Sequence, residues 1–504
     1  MPLKSFISWL RGENADVTAT DALANPTSPT PSSPPQANLS YQRLEPKLVL
    51  NASFALDAFG FLSLDDFVDS TPADNDLTIS QSASTFSFVL NDGVWNGTDA
   101  TGLTGNGTDT LAINLSDVSL NSISIDSNTT DQFDIEFGAL SFAGDLNIES
   151  TGATAFGSIT QTDSIKIGGT ASFLSATEIV MTHAANDFLG TVNAASDNIQ
   201  LTDQNDLQLG AITATGDLTV TSTDVEVTAI GTVNGLARFV NSSTDTMNLG
   251  ADVGGEFSLT NAELSNITAT DGFQFISNNE NVVVDGINQA TDVEIIAGTG
   301  NVNFDGAASS ISSMTVSSST AIGQSAEINV TGIASFTADN NIILNDLDND
   351  FQDTVNADGG NVDLADANNI ELGNVNTTTL NVAALNTGAI TQNNSGINVA
   401  STASFTAADD DVTLNTASND FQGTVNTNGA NVDLTDANDI ELGDIDAATL
   451  DVTALSTGDI TQDNSGITVT GDASFTATDD DITLNTTSND FQGNVNADGA
   501  NVDL

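Results

Sequence analysis

The 32 residues from Ala403 to Leu434, ASFTAADDDVTLNTASNDFQGTVNTNGANVDL, return from Ala473 to Leu504 with 26 positions unchanged, at an offset of 70. An earlier copy begins at Ala334, 69 residues before Ala403, and a divergent one, ASFLSATEIVMTHAANDFLGTVN, begins at Ala171. The connecting segments recur as well: SITQ at Ser158, AITQ at Ala389 and DITQ at Asp459; DLQLG at Asp206, NIELG at Asn369 and DIELG at Asp439. Between about 220 and 333 the same flavour persists with irregular spacing. Repetition at such a period marks an array in which each unit buries its apolar face against the next.

Within a unit, short runs such as FSFVL, DLTVTS and ITVTG alternate apolar and polar residues, with Asn, Asp, Gly, Ser and Thr between them. Period-two alternation bounded by turn residues reads as strand, and essentially no helix is expected after residue 70. Dividing a unit by three gives rungs of roughly 23 residues, the size of one coil of a three-sided solenoid, and on the order of 17 to 19 coils in all. The expected fold is all-β: a parallel β-solenoid (β-helix) of stacked coils, with Val, Ile, Leu and Phe inside and Thr, Asn, Asp and Ser outside. A tandem array of β-sandwiches fits less well, because the strands are short and no Trp or Tyr marks each unit.

Proline divides the chain. All eight prolines lie at or before Pro72, five of them in NPTSPTPSSPP. This gives a disordered Pro/Ser/Thr-rich segment over 1–42, entry strands over 43–70, an irregular β region over 71–156 and the repetitive body over 157–504. The units are clearest at 334–504, and the last is incomplete, which suggests a fragment of a longer array or an end that frays or self-associates. Against 6 Lys and Arg stand 69 Asp and Glu, a net charge of −63. Such a surface repels phosphate backbones and anionic lipid, so nucleic acid is excluded as a partner. There are no cysteines, hence no disulfide, thiol nucleophile or thiolate metal site. No apolar run is long enough for a membrane helix, and SFISWL, interrupted by Arg11, is short for a signal peptide.

Two stretches resemble known families. RLEPKLVLNASF, Arg43 to Phe54, resembles the LEPR-XLL motif of very large, repetitive, secreted bacterial proteins, in a form similar to that of planctomycete surface proteins. Leu44, Glu45, Pro46 and Leu50 match, while Lys47 and Val49 depart from it. From about Gly157 onward, the succession ITQ, ASFTA and NDF resembles the strand repeats of filamentous-haemagglutinin-like and autotransporter-like adhesins. These resemblances imply export, a β-solenoid and a stalk or adhesive role. The secretion domain that accompanies haemagglutinin-type export is not evident.

Several residues invite a chemical reading. The triplets Asp409-Asp410-Asp411 and Asp479-Asp480-Asp481 could hold calcium, which needs converging carboxylates and carbonyls. The same positions read Asp339-Asn340-Asn341 and Ala176-Thr177-Glu178 in the other copies. A site that drifts from Asp to Asn to Ala keeps only turn-compatible polarity. TGNGTDTLA, with Asp109, loosely follows a calcium-binding nonapeptide but occurs once, where shared sites need consecutive copies. The NDF trio is kept in all four copies. Its Phe is expected to stack on equivalent Phe residues of neighbouring coils, its Asn and Asp to form a corner, with an internal Asn ladder as a further option. With one histidine, His183, and only Lys166 and Arg238 basic after residue 72, most catalytic constellations cannot be assembled.

The expectation is therefore a non-enzymatic, exported structural or adhesive protein, extracellular or at the cell surface. Its partners would be carbohydrate or matrix components, with no catalytic residues and no cofactor. A carbohydrate-active β-helix enzyme and a calcium-stabilised matrix protein are the alternatives.

Overall fold

The computed structural model describes residues 50–68, 77–91, 93–126, 133–150 and 156–504. The segment 1–42 and the LEPKLV residues of the motif at 43–54 lie outside these residues. The chain opens with antiparallel pairs: Leu50–Leu56 with Phe61–Val68, and Thr85–Leu90 with both Leu77–Ser82 and Thr110–Asn114. Here Trp95 is fully buried, edge-on to Phe54 and Phe67, and its Nε1 donates to the Phe88 carbonyl at 3.0 Å. Parallel stacking takes over from Ser122–Asp126, which pairs with Asp145–Glu149, ahead of the expected start at 157. The result is a parallel β-solenoid of about 18 turns.

The alternation in the sequence is the alternation of burial. In Ala403–Ala407, Ala403, Phe405 and Ala407 point inward while Ser404 and Thr406 are half-buried. Ala403 and Phe405 sit between Leu380 and Val382 of the coil before and Val425 and Thr427 of the coil after, so an apolar column runs from coil to coil. Removing a Phe or Ile side chain from water in this way stabilises by roughly 1.5–3 kcal/mol.

The total of about 18 turns agrees with the roughly 17 to 19 coils expected, but the number of turns in one repeat differs from the expected three. From Ala334, the partners Val355, Leu372 and Gln392 complete three turns. Ala403, the equivalent residue one repeat later, is not the next partner: it belongs to the column of Ile342, Val362 and Leu380. The column of Ala334 meets an equivalent residue only at Ala473, through the strand containing Ile390 and then Val412, Val432 and Leu450. A repeat thus advances about three and a half turns, and alternate repeats share a column. Between Ala334 and Ala473, turn lengths vary from 17 residues (Val355 to Leu372) to 23 (Leu380 to Ala403), in place of a uniform 23.

Two local events produce the extra half turn. The two-residue strand Asp350–Phe351 pairs with Ile328–Val330 before it and, among the described residues, with no strand after it, so one column stops. The 15-residue strand Ile370–Ala384 then opens one column into two: Ile370–Leu372 carries Ile390–Gln392, and Val375–Thr377 carries Ile397–Val399. The coils between these events have two strand-bearing sides, the others three. The same pattern recurs at Asp420–Phe421 with Ile440–Ala454, and at Asp187–Phe188 with Asp206–Ala214.

The expectation of essentially no helix after residue 70 holds, with one five-residue exception among the described residues. Asn261–Ser265 is helical, held by a capping box in which Thr260 Oγ1 accepts from the Glu263 N–H and the Glu263 carboxylate accepts from the Thr260 N–H. No helix among the described residues is long and apolar enough to cross a membrane.

Candidate functional site

The NDF trio is the end of the column that stops, and its asparagine is not a surface corner. Asn186, Asn349 and Asn419 are fully buried. The Asn419 carbonyl accepts from the Ile397 N–H at 3.0 Å and from Gln392 Nε2 at 2.5 Å; its amide donates to Gln392 Oε1 at 3.0 Å and to the Leu414 carbonyl at 3.0 Å. Gln392 is the glutamine of AITQ, one coil earlier. The same reciprocal amide pair joins Gln161 to Asn186, Gln324 to Asn349 and Gln462 to Asn489. Among the described residues the NDF asparagines thus form no ladder, because they are a whole repeat apart and each is satisfied by a glutamine.

The phenylalanines differ from expectation in the same way. Phe421 lies edge-on to Phe405 of its own coil, at 6.0 Å between ring centroids, and Phe336–Phe351 and Phe475–Phe491 repeat the arrangement. In the neighbouring coil Phe421 meets Val399. Stacking of register partners in adjacent coils does occur at Phe239 and Phe275 in the irregular segment, with planes 18° apart.

A third group at this corner escaped the sequence reading. The Phe188, Phe351 and Phe421 N–H groups donate to the carboxylates of Asp203, Asp366 and Asp436 at 2.5, 2.7 and 2.7 Å. The other oxygen of each accepts from the N–H two residues on, at Asn205, Asn368 and Asn438. These aspartates are 1%, 0% and 0% exposed. Burial pushes each up to about 6, and its two backbone hydrogen bonds pull only partly in the opposite direction. The signal for them was their constant spacing, 17 residues after the latch asparagine in all three copies.

The strand that opens is fixed by a second constant spacing. The Asn193, Asn356 and Asn426 carbonyls accept from the N–H groups of Ala211, Asn374 and Asp444, each at 2.9 Å, and so hold the bulge where the column divides. The residue before each acceptor's donor is glycine for a steric reason. A Cβ on Gly210, Gly373 or Gly443 would lie 2.2–2.3 Å from the same asparagine oxygen. Thr354 and Thr424 Oγ1 donate to Glu371 and Glu441 at 2.8 Å, tying TVN of one coil to ELG of the next.

The two aspartate triplets and Asp109 lie in different coils. Asp409 and Asp410 form the turn after ASFTA, where the Asp410 N–H donates to the Ala407 carbonyl. Asp411 Oδ1 accepts from Asn431 Nδ2 at 2.6 Å, one coil on, and Asp481 accepts from Asn501 in the same way. Asp479 has a left-handed backbone, φ 73°, and Asp480 lies beside Asp459, Asp479 and Asp481. Burial, then those like charges, raise the Asp480 carboxyl. Asp109 is exposed in a turn with Gly107 at φ 78°. Among the described residues no three His, Cys, Asp or Glu side chains converge as a metal site would require. His183 is exposed, and its Nδ1 accepts from the Ala185 N–H. Lys166 pairs with Asp187.

A recess of about 520 Å³ lies where the repeat is interrupted. It is bounded by Leu189, by Asp206, Asp224 and Glu226 of the stacked strands, and by Asp252 and Glu263 of the excursion. Its most enclosed carboxylates serve the fold. Asp224 accepts from the Ser258 and Val225 N–H groups, and Glu263 accepts from the Val227 N–H besides capping the helix. Burial, with Asp206 and Glu263 nearby, raises the Asp224 carboxyl.

In comparison with known proteins, a family of repeats of unknown function (DUF5649) matches residues 121–195, 196–252, 289–358, 359–428 and 429–498. No curated protein and no solved structure matches the chain. The unmatched interval 253–288 contains the helix and one wall of the recess, and the matched segments contain all four amide latches. With well over half of its length matched, the chain belongs to this family of repeats.

Proposed function

We propose that the chain is a non-enzymatic structural protein, exported to the cell surface or the extracellular matrix, where the repeat body serves as a spacer or adhesive stalk. One observation carries this reading: on the outer face of the repeats, polar side chains hydrogen-bond to one another from coil to coil. Asn381 donates to Asp363, Asn376 to Asp358, Asn415 to Asp433 and Thr449 to Asn431, each from one coil to an adjacent one. Such ladders strengthen stacking and give a soluble, strongly anionic outside; they do not converge on a reacting atom. The acidity and absence of cysteine suit a chain that depends on stacking rather than crosslinks outside the cell.

The recess beside Asp224 and Glu263 favours a second reading, a saccharide-binding or saccharide-cleaving groove. Its weakness is that both carboxylates already hold backbone N–H groups. Antibodies against the repeat body should label intact cells of the source organism, and external protease should remove the label. Antigen reached only after permeabilisation would overturn the exported reading. Release of sugar from a polysaccharide panel, abolished in Asp206→Asn or Glu226→Gln, would favour the second.

A further inference from the structure

We propose that the repeat body is acid-setting: the buried corner carboxyls make the stacked coils more stable near pH 5 than at neutral pH. The geometry comes first. Asp203, Asp366 and Asp436 each join two coils, one oxygen on the N–H of the phenylalanine where a column stops and the other on their own turn. Among the described residues no cation faces them directly. The charged groups around Asp203 are Asp187, itself paired with Lys166, and Asp206; Asp350 stands beside Asp366; Asp420 and Asp439 stand beside Asp436. The coil that follows offers only backbone at this point, the Leu385 and Leu455 N–H groups on the Asp366 and Asp436 carbonyls. Ionising three buried carboxyls surrounded by carboxylates is costly, and protonating them removes that cost while leaving each oxygen a lone pair for its N–H donor.

The sign follows from proton linkage. Each folded carboxyl titrates at about 6 against 3.8 for the free side chain. Between these values the folded chain holds more protons than the unfolded one, so stability falls as pH rises through this window. This is opposite to the usual salt-bridged aspartate. Relaxed repulsion among the exposed carboxylates acts in the same direction, but at 0.5 M salt, with a screening length of about 4 Å, that surface part is largely suppressed.

The test is the thermal midpoint of the chain at 0.5 M NaCl between pH 4.5 and 8, together with the carboxyl-carbon NMR titration of the three aspartates. The midpoint should be higher at pH 5 than at pH 7.5 by about 5 °C or more, and all three carboxyls should titrate above pH 5. Because Asp→Asn would set an amide N–H against a backbone donor, the NMR titration rather than a variant keeps the proposal falsifiable. Midpoints that fall on acidification to pH 5, or carboxyls that titrate below pH 4.5, would overturn it.

Discussion

Asn419→Ala is expected to destabilise the repeat body by about 3–5 kcal/mol, read as loss of cooperative denaturant unfolding or as local hydrogen exchange. The substitution removes the acceptor of the Ile397 N–H and both bonds between Asn419 and the Gln392 amide, which keeps the Ser395 carbonyl, and takes the Asn419 donor from the Leu414 carbonyl. Each buried polar group left unpaired costs about 1–3 kcal/mol. Asn489 makes the same set of bonds but is only partly buried. Asn489→Ala should therefore cost clearly less, because water reaches the orphaned groups. Equal costs at the two positions would mean that the buried amide pair is not what holds the corner.

Gly443→Ala is expected to cost about 2–4 kcal/mol although it adds only a methyl group. The new Cβ would lie 2.3 Å from Asn426 Oδ1 and 2.5 Å from Thr424 Cγ2, and a packed core accepts such overlap only by shifting backbone. The asparagine cannot simply rotate away, since its oxygen holds the Asp444 N–H at the bulge. Gly443→Ala combined with Asn426→Ala should cost less than the sum of the two single changes, as expected of residues in direct conflict. Gly254→Ala is the control: nothing lies within 4 Å of its added Cβ, so its effect should stay within about 0.5 kcal/mol. A small cost at Gly443 would show that the column opens without the asparagine–glycine contact.

Much of the architecture was legible in the residues. Alternation in runs such as ASFTA fixes which side chains face inward, and the 70-residue recurrence implies stacking. The number of turns per repeat was not legible, because 70 divided by three gives a plausible coil and nothing local announces a column that stops or opens. The information lay in pairs of recurring residues at a spacing of 17: Asn186 with Asp203, Asn193 with Gly210, and their equivalents. Seventeen residues is the length of the short two-sided coil. The drift of the DDD triplet pointed to a turn, where Asp409 and Asp410 are found. The NDF asparagine misled, since Asn is usually a surface turn residue. Only the recurrence of ITQ alongside it hinted that two amides meet inside. The recess at 253–288 left no trace in the sequence beyond irregular spacing.

The half-turn offset between repeats is tested most directly by paired cysteines, since the chain contains none. Asn381 and Ser404 are register partners in adjacent coils, as are Ser404 and Asn426. Ser335 and Ser404 occupy equivalent places in successive repeats yet belong to different columns. Adjacent coils lie about 4.8 Å apart, within disulfide reach. Oxidation should crosslink Asn381→Cys with Ser404→Cys, and Ser404→Cys with Asn426→Cys, while leaving Ser335→Cys with Ser404→Cys as free thiols. A disulfide between 335 and 404, or none between 381 and 404, would contradict the stacking described here.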